Sequence, residues 1–539
     1  MPALVAARGH CDVCFAYLDD VVLAGDADQL ARGLQALQAV THNIGLQLEP
    51  SKCELVCLSG QATPAMLQSF PSGMGVNTSG NFSFLGAAVG DDAYCNRHTF
   101  SERVAPAKPS LEALADLPDA QTALLLLRHC QSHVKVTHAM RVTPPHSHST
   151  SLQAFDEQVL ACLERIGGLP LTTNTWLQAS LAIKAGGLGL ALHAPAAYLA
   201  SVGHLGAPCT ELDPSYRVVP PPASQALALY NQTVLPEDQL ASLAPSHQQR
   251  DLSAAVDKAQ SAHLTVSTTG EAAKGHLQLV QQPGAGAWLT ALPADNLGLH
   301  INTHLFRVLL RLRLRLPIAP SDGYCPLCDG VADSFGDHAR VCPCGGDRGK
   351  RHNRLRNFFA AKLAAAGFSP ELEKPGLLPA RPEDSGFCEA GRPPCASARR
   401  PADVWVPGWG LHGPAAFDFA VSSGLRSGVL PATVGNGGHA TLVYEERKRI
   451  HQRTEAQCRA QGQFLPLVAK GTAGGWGPTA LGVFRQLGGF LAARTGERSS
   501  RLTEQLLQGF SVTLQRENAR AVVRRLPDDF TTFQALSEP

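Results

Sequence analysis

Residues 399–423 read RRPADVWVPGWGLHGPAAFDFAVSS, and this stretch decides the fold expected for the C-terminal part of the chain. ADVWVP and AAFDFAVSS are apolar runs of strand length, and the Pro- and Gly-rich residues between them are typical of a turn. Asp403 begins the first run and Asp418 lies within the second. A hairpin places the two runs side by side, so we expect both carboxylates at one end of a small sheet.

A carboxylate inside a buried strand needs a cation or a metal ion beside it. Glu373, in ELEKPG, is a candidate third carboxylate. The segment YEERKRIHQRTEAQC (444–458) predicts a helix able to pack on the sheet, and Lys448 lies on it. Arg447, Arg449 and Lys470 remain alternative cations. The other interpretation is a structural aspartate pair held by Arg399 and Arg400.

A second motif is YCPLCDGVADSFGDHARVCPCGG (324–346). Cys325, Cys328, His338 and Cys342 have the spacing C-x2-C-x9-H-x3-C, which is typical of a tetrahedral structural zinc site. Cys344 is a spare thiol that can replace Cys342. Unrelated buried cysteines are the alternative, but four ligands at this spacing favour metal.

Directly after this motif comes a basic segment, GGDRGKRHNRLRNFF (345–359), which predicts a helix. A basic helix beside a zinc site suits contact with nucleic-acid phosphates. A solvated helix face is the plain alternative. The candidate phosphate-binding residues are Arg348, Lys350, Arg351, Arg354 and Arg356.

Near the N-terminus, CDVCFAYLDDVVLAG (11–25) places Asp19 and Asp20 between two apolar runs. A polar hairpin tip is one explanation. Because the flanking residues predict buried strands, metal-binding carboxylates are the other.

YLDD between apolar strands resembles the Tyr-x-Asp-Asp motif of reverse transcriptases. GLQLEPSKCELV (45–56) and FSFLGAAVG (82–90) resemble the blocks that follow it in that family. The resemblance implies that Asp19 is a metal ligand, that Asp20 is its neighbour, and that Lys52 acts as an acid toward leaving pyrophosphate.

One departure concerns what precedes this motif, since only 16 residues stand before Tyr17. Reverse transcriptases carry the fingers and a further metal-binding aspartate upstream. We therefore expect an N-terminally truncated protein that does not polymerise DNA by itself.

Pro401-x-Asp403…Asp418 resembles the signature of restriction-endonuclease-like domains, in which carboxylates hold Mg²⁺ and a lysine helps to activate water. The order of the motifs resembles the C-terminal part of a non-LTR retrotransposon polyprotein. This resemblance implies structural Zn²⁺, catalytic Mg²⁺, and element RNA and target DNA as partners, with dNTP as the one small-molecule substrate. It also implies a nuclear location.

Bulk composition sets wider limits on the chain. Its 539 residues are 44% hydrophobic, which excludes wholesale disorder, and its net charge is +1. The 15 cysteines, without a signal peptide, indicate a reducing intracellular compartment, and no apolar run is long enough to predict a membrane span.

We therefore expect an α+β multidomain protein. The expected domains are a partial palm (1–105), a helical thumb (106–205), a linker and helical connector (206–320), a zinc knuckle (321–346), an α/β restriction-endonuclease-like domain (347–497), and a C-terminal helix and tail (498–539). Two other functions remain open: a non-catalytic, zinc-stabilised nucleic-acid-binding remnant, and a polymerase completed by another chain.

Overall fold

A computed structural model describes residues 2–17, 20–212, 221–244, 246–377, 402–458 and 462–526. The chain divides into two compact units, Met1–Arg103 with His138–Leu152, and Val104–Thr137 with Gln153–Pro539. Helices predominate and the sheets are small, so the expected mixture of helices and strands is confirmed.

The elements up to residue 167 are mostly short. They are α1 (Pro2–Arg8), β1 (Val13–Tyr17), β2 (Asp20–Ala24), α2 (Ala27–Asn43), β3 (Glu54–Val56), α3 (Pro64–Leu67), β4 (Gly75–Asn77), β5 (Phe82–Phe84), β6 (Ala87–Val89), α4 (Asp92–Thr99), α5 (Ala105–Ala115), α6 (Ala120–Leu126), α7 (Thr137–Val142) and α8 (Ser149–Gly167).

The remaining elements include the longest helices and the largest sheet. They are α9 (Thr173–Ser180), α10 (Ala194–Leu212), α11 (Pro221–Thr233), α12 (Gln249–Ser267), α13 (Glu271–Val280), α14 (Thr303–Arg313), β7 (Gly323–Tyr324), β8 (Val331–Ala332), α15 (Asp337–Val341), α16 (Asp347–Ala365), β9 (Glu371–Leu372), β10 (Val404–Val406), β11 (Ala415–Ser422), α17 (Leu430–Gly435), α18 (His439–Ile450), α19 (Thr454–Cys458), β12 (Gln463–Lys470), α20 (Pro478–Thr495) and α21 (Ser499–Val523).

In the first unit, β1 and β2 form an antiparallel hairpin in which Tyr17 pairs with Asp20. Asp26 then starts α2 through a capping box with Gln29, which satisfies free backbone N–H groups at the helix start. The pairs β3–β4 and β5–β6 make two further two-stranded sheets. Among the described residues of this unit, no sheet has more than two strands.

The first hairpin is more exposed than its apolar sequence predicts. Phe15, Tyr17 and Val21 are 42%, 59% and 41% exposed, so the expectation of buried strands around the aspartates is wrong. A two-stranded sheet with α1 and α2 as its main neighbours leaves much of its surface in solvent.

Residues 206–250, expected to begin a linker, contain helices of the second unit. Residues 206–250 contain the end of α10, all of α11 and the start of α12. Helices α10 to α12 share an apolar core that includes Leu199, Tyr230 and Val256. The described part of this stretch is therefore largely helical, because Ala and Leu recur at helical spacing in it.

The largest sheet has the strand order β12-β11-β10-β9. Strands β11 and β12 are parallel over eight residue pairs, whereas β9 and β10 are added antiparallel. Alternate residues of β11 face opposite sides. Phe417 and Phe419 belong to the main core, and Asp418 lies on the opposite face with Ala416 and Ala420.

Helices α16, α20 and α21 cover the face that carries the phenylalanines. Phe359 of α16 contacts Phe417, Phe419 and Phe510 at ring-centroid distances of 4.9, 5.4 and 6.1 Å. Phe510 belongs to α21, so this helix packs into the core of the sheet, although the sequence predicts a domain boundary at residue 497. Helices α18 and α19 pack against β12.

Within the described part of the chain, no helix combines the length and apolar character needed to cross a membrane.

Candidate metal and carboxylate sites

The Cys/His motif folds as a compact knuckle. The hairpin β7–β8 carries Cys325 at its turn, where the Cys325 N–H donates to the Gly330 carbonyl at 2.9 Å. The Asp333 carboxylate accepts backbone N–H groups of Phe335, Asp337 and His338 and so caps α15. This cap fixes the helix that presents His338.

Four ligand atoms converge in the knuckle. The Sγ atoms of Cys325, Cys328 and Cys342 and a ring nitrogen of His338 all lie within 4.8 Å of one another. Cys328 Sγ is 3.3 Å from His338 Nε2 and 3.6 Å from Cys342 Sγ. Ligand atoms of a tetrahedral zinc thiolate site are about 3.8 Å apart. The set can therefore hold a metal ion, and its donor chemistry is consistent with structural zinc.

The knuckle helix is fastened to the four-stranded sheet region through two buried arginines. Arg340 Nη1 donates to the Thr472 carbonyl at 2.8 Å, just beyond β12. Arg351 of α16 donates to the Arg340 carbonyl at 3.0 Å and to Asn518 Oδ1 at 2.7 Å. Asn518 in turn donates to the Gly471 carbonyl. The knuckle is therefore continuous with this part of the fold.

The basic residues of α16 do not share one surface. Arg351 is buried in the network just described, and Arg356 is directed to Glu373. The sequence predicts that both guanidinium groups lie on an open phosphate-binding face. Neither of them does. Arg348, Lys350 and Arg354 are exposed. Composition alone could not separate these two groups, because burial depends on what the helix packs against.

Asp403 lies at the start of β10, with both carboxylate oxygens engaged. Oδ1 is 2.9 Å from His352 Nε2, and Oδ2 accepts the Phe419 N–H at 2.5 Å. The Asp403 N–H donates to the Phe417 carbonyl. The adjacent strand β11 therefore fixes the residue, which is only 8% exposed.

Asp418 is equally buried, at 9% exposure, and its Oδ2 lies 2.6 Å from Lys448 Nζ. Burial raises the pKa of Asp418 to about 6, although the Lys448 ammonium opposes the shift. Burial alone would lower the pKa of Lys448, but the Asp418 carboxylate outweighs it and raises that pKa. The two groups therefore form an ion pair at neutral pH.

Glu373 reaches the same edge of the sheet by its backbone. It follows β9, its φ of 51° is left-handed, and its N–H donates to the Asp403 carbonyl at 3.1 Å. Its carboxylate, however, pairs with Arg356 at 2.6 Å. The carboxylates of Asp403, Asp418 and Glu373 do not converge closely enough to form a three-ligand metal site. Among the described residues, the Cys/His set is the one group of three or more potential ligands that does.

The alternatives to Lys448 lie elsewhere. Arg447 is exposed, Arg449 bonds Thr479 and approaches Glu445, and Lys470 donates to Gln282 at 2.9 Å. Thr441, Glu445 and Lys448 follow the helical spacing of α18 toward the sheet. That spacing explains why Lys448 reaches Asp418.

Sequence reasoning missed His352. It follows Arg351, and the buried residues of α16 recur every four positions as Arg351, Leu355, Phe359 and Leu363. A residue one position along this stripe lies at the edge of the buried face. The spacing of the buried residues of α16 therefore indicates that His352 lies at the margin of the sheet.

The residues of the Tyr-x-Asp-Asp motif are only partly described. Asp19 lies outside the described residues, while Asp20 opens β2 and is exposed. Lys52 ends a 3₁₀ turn, Pro50–Lys52, and is also exposed. In the described part of the chain no hydrogen bond or ion pair joins Asp20 to Lys52.

Comparison with known proteins gives no assignment: no family model matches this sequence, and no curated protein matches it.

Proposed function

We propose that this chain is part of a non-LTR retrotransposon polyprotein, and that its C-terminal region nicks DNA. The observation that carries the proposal is the edge of the four-stranded sheet. Two buried aspartates from adjacent strands stand there, and Lys448 of the flanking helix contacts one of them. Asp20 and Lys52 then belong to the polymerase region, and a chromosomal DNA target implies a nuclear site of action.

Mg²⁺ suits this edge chemically, because it prefers carboxylate oxygens. Asp403 and Asp418 would hold it. Glu373 would join them as a third ligand only by leaving Arg356, with which its carboxylate is paired. When bound, the ion would activate water and neutralise charge on the phosphodiester. The Lys448 ammonium, 2.6 Å from Asp418 Oδ2, keeps the Asp418 carboxylate ionised and in place.

The nicking proposal is tested with the full chain, supercoiled plasmid and Mg²⁺. We expect conversion to open circles, and a loss of at least about 100-fold in rate for Asp403→Asn. Glu371→Gln is the matched control, because Glu371 is an exposed carboxylate two residues from Glu373. Circular dichroism checks that each variant is folded. Absence of nicking by the wild type, or nicking by Asp403→Asn at the wild-type rate, would overturn the proposal.

We propose further that the knuckle binds one Zn²⁺ per chain in a closed, structural site. Elemental analysis should find about one equivalent in the wild type and well under half in Cys328→Ser. Cys344→Ser is the control, since Cys344 is not among the four converging residues and its loss should leave the zinc in place. Equal zinc content in both variants would contradict this ligand set.

A non-catalytic nucleic-acid-binding protein is the second candidate. The observation that favours it is that each of the three carboxylates already has a basic side chain of the protein within 3 Å. On this view the exposed Arg348, Lys350 and Arg354 bind phosphates and nothing is cut. Salt-sensitive binding to DNA without nicking, in both Mg²⁺ and Mn²⁺, would favour this candidate.

A further inference from the structure

We propose that His352 is a positioning residue of the nuclease site, whose imidazole fixes the orientation of the Asp403 carboxylate. This inference rests on the proposed nicking function and adds a residue that the sequence motifs do not contain. It follows from the contacts that two separate elements, α16 and β11, make with the Asp403 carboxylate.

The Asp403 carboxylate has two tethers. One is the backbone N–H of Phe419 in β11, which binds Oδ2. The other is His352 Nε2 of α16, which binds Oδ1 at 2.9 Å. Two tethers on different oxygens fix both the position and the plane of the group, whereas one tether leaves it free to rotate. The lone pairs that remain then point in fixed directions.

The backbone of His352 is itself held firmly. Its neighbour Arg351 is buried and bonded to the Arg340 carbonyl and to Asn518. Leu355 and Phe359, on the following turns of α16, are fully buried. The imidazole therefore reaches Asp403 from a rigid support, as precise orientation of a ligand requires.

The His352 side chain is 31% exposed, and this distinguishes positioning from packing. A side chain that fills a core is enclosed, and its truncation leaves a cavity. Truncating His352 instead opens its place to solvent, so the fold should lose little stability. Loss of orientation at Asp403 should reduce activity and weaken the response to Mg²⁺, since such supporting contacts are worth about 10–100-fold.

The experiment measures plasmid nicking by the full chain across a range of Mg²⁺ concentrations. His352→Ala should lower the maximal rate by about 10–100-fold and raise the Mg²⁺ concentration that gives half-maximal rate. His352→Gln should stay within about fivefold of the wild type, because its amide nitrogen can replace Nε2 as the donor. Asn353→Ala, an exposed neighbour on the same helix, is the control.

Thermal unfolding separates the explanations. Midpoints of all three variants within about 3 °C of the wild type would support positioning, as would recovery of activity by His352→Gln. If the wild type nicks and His352→Ala nicks equally well with the same Mg²⁺ response, this inference fails while the nuclease proposal stands. Failure of glutamine to restore activity, or a midpoint drop that accounts for the loss, also overturns it. A wild type that does not nick overturns both.

Discussion

Two regions of this molecule place aspartates inside apolar strands, with different results. In the first unit, Asp20 opens a strand of a two-stranded hairpin and is exposed, as is its partner Tyr17. In the second unit, Asp418 lies in a strand of a four-stranded sheet with helices on both faces. There the flanking Phe417 is fully buried.

Layering, rather than the local sequence, separates these regions. A hairpin that is only partly covered leaves its charges in water, where they need no protein partner. A covered strand forces each charge to find a polar partner. Asp418 pairs with the Lys448 ammonium, and Asp403 contacts the His352 imidazole. A defined arrangement of charged groups therefore arises only in the covered region.

The largest expected effect concerns the helices that cover the four-stranded sheet, α16, α20 and α21. Phe359→Ala removes a fully buried ring from the aromatic core and should lower the free energy of unfolding by about 3–5 kcal/mol. Phe15→Ala, in the exposed hairpin, should cost about 1 kcal/mol or less. Urea unfolding followed by tryptophan fluorescence measures the first, since all five tryptophans fall within the second unit.

Hydrogen exchange of peptides from β1–β2 measures the local effect of Phe15→Ala. A loss of protection there equivalent to more than about 3 kcal/mol would show that the hairpin is covered in solution, and would remove the contrast between the regions.

A smaller effect is expected for the two lysines. Lys448→Met leaves Asp418 buried without its cation and should destabilise the second unit by about 2–3 kcal/mol at pH 7. Lys52→Met, at an exposed position, should change stability by less than about 0.5 kcal/mol. Chemical denaturation measures both. Equal effects would mean that the ion pair at Asp418 is as solvated as a surface pair.

The smallest effect is a change in pH dependence. His276 is almost fully buried, and its Nε2 is 2.8 Å from the Leu312 carbonyl. Burial lowers its pKa to about 3. The unfolded chain takes up a proton near pH 6.5, so stability present above that pH is lost as pH falls toward 3.

For His276→Gln, which can donate to Leu312 without titrating, the decline in stability below pH 6.5 should be shallower. The difference should be at most about 1.4 kcal/mol per pH unit, measured by urea unfolding at pH 7.0, 6.0 and 5.0. Parallel curves for wild type and variant would mean that His276 takes up its proton at the same pH in the folded and the unfolded chain, and would contradict the lowered pKa.

Much of the sheet region was predictable from sequence. Alternation around Phe417 and Phe419 predicts β11, and apolar spacing predicts α20 and α21. The order of charged residues on α18 made Lys448 a candidate for Asp418. These features depend on local periodicity, which one sequence contains.

Other features depend on tertiary neighbours and were not predictable. Arg351 and Arg356 look like surface cations in sequence, yet one is buried and the other pairs with Glu373. The strands around Asp20 look buried in sequence, but α1 and α2 cover only part of them. The spacing of α16 indicates where His352 faces but not its partner, because Asp403 lies 51 residues away along the chain.

The arginine network around the knuckle also limits how this protein can be rearranged by recombination. A zinc knuckle attached only by its chain ends could be exchanged between proteins as an independent module. Here the carbonyl and guanidinium of Arg340 are tied to α16 and to the turn after β12, and Asn518 of α21 completes the contacts. A transplanted knuckle would have to bring partners that lie as far apart in sequence as Arg351 and Asn518, so knuckle and sheet are expected to be inherited together.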